Sequence, residues 1–246
     1  MSIPAEKISS NWEKFTGYIG KYIKGERKEL LFKFYEKHQE ELVLMPASHK
    51  KAYHNAFPGG YIDHVNRVVR CSLKQYELWK SEGVDISTFT IEELVFSAIN
   101  HDLGKMGDEE QDSYIPQTDK WRQDKLNEMY TPNTELEFML VPDRSLFTLQ
   151  EYGIKTTKNE YLAIKLHDGV FVDGNKPYFF SNTPHSRMKT SIVNILHCAD
   201  FLASKVEYDT WLASGGTTTQ KTTKSKSTMG KTVNSSKGLQ NLIKKL

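Results

Sequence analysis

Cysteine is scarce in this chain: Cys71 and Cys198 are the only two in 246 residues. Two thiols so far apart make neither a disulfide framework nor a thiolate zinc knuckle, and reduced, partly buried side chains are the simplest reading. Long apolar runs are also missing. No stretch approaches the roughly 18 uninterrupted apolar residues that suggest a membrane span. The start, MSIPAEKISS, lacks the basic-then-apolar signature of a secretory leader. A cytoplasmic protein without a membrane partner is therefore expected. The sequence contains no glycine-rich phosphate loop, no nucleophilic Ser or Cys constellation and no internal repeat, which removes several large enzyme classes. What it has, at 38% hydrophobic and 26% charged, is enough apolar side chain for one sizeable core.

Acid is absent from the C-terminal stretch. Residues 214–246 hold seven lysines and no Asp, Glu or Arg, which leaves 26 basic against 31 acidic residues in the part before it. The body is mildly acidic and the tail basic. The tail composition, SGGTTTQKTTKSKSTMGKTVNSSKG, cannot bury enough apolar surface to order itself, so a solvated tail is expected. Leu239, Leu242, Ile243 and Leu246 follow at i, i+3, i+4 and i+7, the pattern of a short amphipathic segment. Contact with a partner or a polyanion is the function open to such a tail.

The body reads as helical. Ile62, Val65, Val69, Ser72, Tyr76 and Trp79 recur at steps of three and four, which predicts a helix over 60–79. A second should start at Thr90, with Glu93 completing a capping box, and stop at Gly104. A third is predicted over 186–205 from Met188, Ile192, Ile195, Ala199 and Leu202. Two more, over 8–23 and 27–43, precede them and should pack onto the bundle. The stretch 106–156 is irregular, with a short helix at Trp121 and Arg122 and another ending at Gly153, and is where substrate selection is expected.

These helices carry the most informative residues. His101 and Asp102 end an apolar run, LVFSAINHDLGK, with His64 37 residues before the pair and Asp200 98 residues after it. A single His or Asp beside an apolar stripe is usually a hydrogen-bonded core residue. Two imidazoles and two carboxylates in this setting are better matched to one divalent ion of borderline or hard character, Mn, Fe, Ni, Co or Mg, than to structural zinc. An adjacent His-Asp pair is costly to bury without such a partner.

Order, spacing and helical setting resemble the HD-domain superfamily of metal-dependent phosphohydrolases, whose pattern is His, then His-Asp, then Asp on a helical bundle. The segment PASHKKAYHNAFPGGYIDHVNRVV is similar to the opening of HD domains in bacterial 3′→5′ exoribonucleases and conjugative relaxases. KTTKNEYLAIKLHDG is similar to a further helix of the superfamily that ends in His, and NILHCADFLASKVEYD to its closing helix. The likeness covers roughly residues 46–208. It implies an all-α fold with helices at 1–45 packed on an HD domain at 46–213, and the tail at 214–246. It also implies His64, His101, Asp102 and Asp200 as metal ligands. Dinuclear relatives place further histidines between the pair and the last Asp. Here none occurs between Asp102 and His167, and Asp168 stands where a second His is often found. One ion per chain is thus expected, with His167 and His185 the candidates for a second.

The chemistry implied is hydrolysis of a phosphate ester. Lys105, three residues past Asp102, is expected to offset phosphate charge. Asp63 and Asp168 are candidates for a general base or for orienting a ligating His. Arg67, a turn after His64, and His54, in the His-rich turn, are candidates for holding the substrate. A small nucleotide or short oligonucleotide is the expected substrate, because an acidic body offers no basic track for long nucleic acid. The alternatives are a 3′→5′ exonuclease, a cyclic-nucleotide phosphodiesterase, or a metal-binding regulatory module without turnover.

Overall fold

The computed structural model describes residues 3–50, 55–181 and 183–214, so the basic tail and His54 lie outside the described residues. Nine α-helices, several single helical turns and one small ribbon make up this part, an all-α architecture as expected. Helix α1 spans Ala5–Tyr22, α2 Gly25–Lys37, α3 Gln39–Leu42, α4 Gly60–Ser81 and α5 Ile91–Asn100. Then come strands β1 (Tyr114–Pro116) and β2 (Tyr130–Pro132), α6 (Val141–Glu151), α7 (Lys158–Leu166), α8 (Lys176–Phe180) and α9 (Ile192–Ala213).

Four of these helices close a ring. Helix α4 packs on α9, α9 on α7, α7 on α5, and α5 back on α4, while α1 covers α4 and α5. The ring is held by fully buried Tyr61, Ile62, Val65, Val69, Leu94, Phe96, Ile99, Ile164, Leu166, Ile192 and Leu196. Phe15 and Ile19 of α1 and Leu31, Phe34 and Tyr35 of α2 belong to the same apolar cluster, so the N-terminal helices share this core.

Local chemistry sets the element ends. Thr90 accepts the Glu93 N–H while the Glu93 carboxylate accepts the Thr90 N–H, the capping box expected there, and Thr157 and Glu160 repeat it at α7. Glu160 is fully buried and its carboxylate takes Arg27 Nη1 at 2.8 Å on both oxygens. Arg27 also reaches Glu92 at 2.6 Å and lies 4.5 Å over the Phe96 ring, tying α2 to α5 and α7.

Three expectations need correction. Helix α9 begins at Ile192 rather than Ser186 and runs on to Ala213. The Thr190 hydroxyl accepts the Ile192 N–H, a side-chain bond that competes with an earlier helical turn. The helix predicted over 27–43 breaks at His38, and α3 is a separate turn. The irregular stretch holds an antiparallel ribbon, Tyr114 opposite Pro132 and Pro116 opposite Tyr130, where only short helices were expected. The turn at Trp121–Arg122 does form, over Arg122–Leu126. Among the described residues, no helix is long and apolar enough to cross a membrane.

Candidate metal centre

The four ring helices converge on one point, each delivering its polar residue from an end or a shared face. His64 begins the second turn of α4, whose start Gly60 seats against the preceding loop: a Cβ there would lie 2.0 Å from the Asn55 carbonyl oxygen. His101 continues the helical backbone of α5 for one residue, and Asp102 then leaves it for the tight turn Leu103–Met106. That turn is clamped to α6. Ser145 Oγ accepts the Gly104 N–H at 2.8 Å and lies 3.0 Å from the His101 carbonyl oxygen, and a Cβ on Gly104 would lie 2.3 Å from the Val141 carbonyl oxygen. His167 ends α7 as His101 ends α5, and Asp200 comes from the middle of α9.

The reactive atoms face each other. Asp102 Oδ2 is 3.4 Å from Nε2 of both His64 and His101, and Asp102 Oδ1 is 3.6 Å from Nε2 of His167. Asp200 Oδ1 is 3.2 Å from His64 Nε2 and 3.9 Å from His101 Nε2. Within two overlapping groups, His64–His101–Asp102 and His101–His167–Asp200, the candidate ligand atoms all lie within 4.8 Å of one another. Each imidazole is also oriented from behind. Nδ1 of His101 donates to the Ala98 carbonyl at 2.9 Å, and Nδ1 of His167 to that of Ile164 at 2.8 Å. Because a carbonyl only accepts, Nδ1 carries a proton, and Nε2 is the nitrogen aimed into the cluster, where a bound cation would take the place of any proton on it. His64 Nδ1 faces both oxygens of the buried Glu207, at 3.0 and 3.2 Å.

These donors fit a divalent cation. Nε2 of His101 is buried and makes no hydrogen bond of good geometry. The electrostatics favour positive charge at the same place. Burial opposes charging His64, but Glu207, Asp102 and Asp200 outweigh it and hold its pKa well above the usual imidazole range. Burial likewise opposes charging His167, and Asp102 and Asp168 outweigh it, raising its pKa to about 9. Asp102 is held far below the carboxylate range, burial being outweighed by Lys105 and His101, and Asp200 is lowered in the same way, chiefly through His64.

The other expected residues divide. Lys105 is buried beside the cluster with Nζ 2.5 Å from Asp102 Oδ2, the oxygen that faces two imidazoles. Asp168 stands at the rim, partly exposed, 3.6 Å from His167 Nε2. Asp63 is turned elsewhere: it accepts from Asn11, Asn55 and Arg67, each at 3.0 Å, and the carboxylate that orients His64 is Glu207. Arg67 is engaged at Nε by Glu207 and at Nη2 by Asp63, so the structure gives it partners behind the cluster. His185 is exposed in a turn and belongs to neither ligand group, whereas His167, expected only toward a second ion, stands within the main cluster. Cys71 is buried and Cys198 half-buried, both free thiols.

Sequence reasoning missed Glu207 and Lys165. Glu207 lies two turns after Asp200 and follows buried Ala199 and Ala203 at steps of four, so an acid on an apolar stripe was the available signal. Lys165, ion-paired with Asp143, lines the cleft above the cluster. That cleft has a volume of about 240 Å³ and is lined by polar Asp102, Lys105, His167, Asp168 and Asp200 and by apolar Val141, Pro142 and Val172. Compared with family models, curated proteins and solved structures, the chain matches none.

Proposed function

We propose that this protein is a metal-dependent phosphohydrolase of the HD type, acting on a small nucleotide or short oligonucleotide. The observation that carries the reading is the convergence of three oriented imidazoles and two carboxylates, of which His167, Asp102 and Asp200 line a cleft that also presents two lysines. His64, His101, Asp102 and Asp200 would hold one divalent ion, with His167 as a fifth donor. When bound, such an ion supplies an acidified water and an electrophile for a phosphoryl oxygen. The remaining roles fall to the chain. Lys165, and Lys105 beside Asp102, place positive charge where phosphoryl oxygens would enter. Asp168 at the rim is placed to take a proton from water or to give one to the leaving group. Val141, Pro142 and Val172 add apolar surface to the same cleft, which lowers the local polarity and strengthens each of these charges.

A single ion suits the donor set better than two, because His101 belongs to both candidate groups and His185 to neither. The test is a screen of nucleotides, short oligonucleotides and simple phosphate esters against Mn, Fe, Ni, Co and Mg. Turnover that requires a divalent ion and disappears in Asp102→Ala is the expected result; metal bound at this cluster with no turnover of any ester would favour the regulatory module instead.

A further inference from the structure

A cleft of about 240 Å³ is smaller than the roughly 300–1,000 Å³ usual for a site that encloses a whole small ligand. It has room for the phosphoryl end of a nucleotide, and the rest must lie over the rim. Next in the chain to the cleft-lining Val172 and Asp200 are two aromatic rings for which the core has no use. Phe171 is 72% exposed and Phe201 50% exposed, and their rings lie nearly parallel, 19° apart with centroids at 6.1 Å. Phe171 directly precedes the cleft-lining Val172, and Phe201 directly follows the candidate ligand Asp200.

The pair is built in place. Gly169 adopts φ +58° so that the chain can turn after His167-Asp168 against the His197 ring, whose atoms would lie 2.3–2.5 Å from a Cβ. Only glycine accommodates both that backbone and that contact. His197 Nδ1 donates to the His167 carbonyl at 2.8 Å, and buried Asn175 donates to the Gly169 carbonyl at 3.1 Å. The His197 ring then supports Phe171 at 5.9 Å and Phe179 at 5.8 Å. The same imidazole therefore braces both the candidate ligand His167 and one ring of the pair, Phe171.

We infer that Phe171 and Phe201 form a stacking platform for the base of a nucleotide whose phosphate occupies the cleft beside Lys105 and Lys165. This rests on the phosphohydrolase reading for the phosphate end and extends it to the base end. An exposed pair of nearly parallel rings, next in the chain to residues of a cleft that carries two lysines, matches a ligand with one planar aromatic end and one anionic end. Stacking is tolerant of base identity because every base presents a π face, so the platform predicts a preference for nucleotides over base-free phosphates with little choice among the bases.

The test uses the full chain with Mn²⁺ and compares binding of the four common nucleoside 5′-monophosphates with ribose 5-phosphate by calorimetry. Wild type should bind each nucleotide at least tenfold more tightly than ribose 5-phosphate, and Phe171→Ser/Phe201→Ser should remove most of that difference. Both rings are exposed, so the double variant should keep the wild-type circular dichroism and melting temperature. Equal affinity for nucleotides and ribose 5-phosphate, or an unchanged preference in the double variant, overturns the platform. So does a wild-type dimer that the double variant dissolves while nucleotide affinity stays the same, because the ring pair would then be a self-association face. Hydrolysis is scored separately. Turnover without base preference sinks the platform alone, and base preference without turnover of any ester sinks the hydrolase reading alone.

Discussion

Glu207 shows how much a single residue behind the cluster can control. Its carboxylate is fully buried, faces His64 Nδ1 with both oxygens and accepts Arg67 Nε at 3.1 Å, so it orients the imidazole without reaching the cleft. Glu207→Gln keeps the shape but weakens that orientation. Metal affinity, measured by competition with a chelating dye, should fall about 10- to 100-fold while helical content persists. Affinity equal to wild type would assign Glu207 to packing alone. Lys105 is different, since Nζ touches Asp102 Oδ2 itself. Lys105→Met should retain the ion, because a competing cation is removed from a candidate ligand, yet lower kcat by about 10²-fold through loss of charge stabilisation. At this scale the His64, His101, Asp102 and Asp200 set was legible through the resemblance of its order, spacing and helical setting to a known metal-binding pattern, whereas each residue alone reads as a hydrogen-bonded core residue. Which way a side chain turns was not legible. Asp63 and Glu207 differ in use because of the tertiary neighbours Asn11, Asn55 and Arg67.

At the scale of elements, the turn after α5 and the cap of α7 are the sensitive joints. A methyl group on Gly104 meets the Val141 carbonyl, which is backbone and cannot swing aside. Gly104→Ala should therefore cost about 1–3 kcal/mol in denaturant unfolding and weaken metal binding together, because α6 clamps the turn that carries Asp102. Arg27→Met should cost more, about 3–5 kcal/mol, by leaving the buried Glu160 carboxylate without its guanidinium. Burial raises the Glu160 pKa even with Arg27 attached. A raised carboxylate pKa gives stability that is complete below the unfolded value and lost as pH rises through the folded one. Removing Arg27 should steepen that loss as pH rises above the ordinary carboxylate range, and Arg27→Met/Glu160→Gln should abolish the slope. A flat profile in the single variant would mean that Glu160 gains another partner. Element ends were legible where Thr and Glu sit three apart. The ribbon was not: each of its three-residue strands carries a proline, and proline ordinarily argues against a strand.

Across the whole molecule, the candidate ligands lie on α4, at the ends of α5 and α7, and on α9, the four members of the ring. An ion bound there cross-links helices distant in sequence and favours the folded state by mass action, about 2.7 kcal/mol at a hundredfold excess over Kd. Removing it with a chelator should lower the melting temperature by several degrees. Deleting residues 215–246 should leave metal content unchanged, since every candidate ligand lies between His64 and Asp200. The helical class and the approximate places of α4 and α9 were legible from apolar periodicity, that of α5 from its capping box and glycine stop, and that of α7 only from resemblance. Closure of the ring was not, because it depends on which faces meet. The central claim is tested most directly by elemental analysis of the purified full chain after incubation with Mn²⁺ and removal of the excess. About one ion per wild-type chain, falling to near zero in both His101→Ala and Asp102→Ala with helical content retained, is the predicted result; undiminished metal in the two variants would contradict the account.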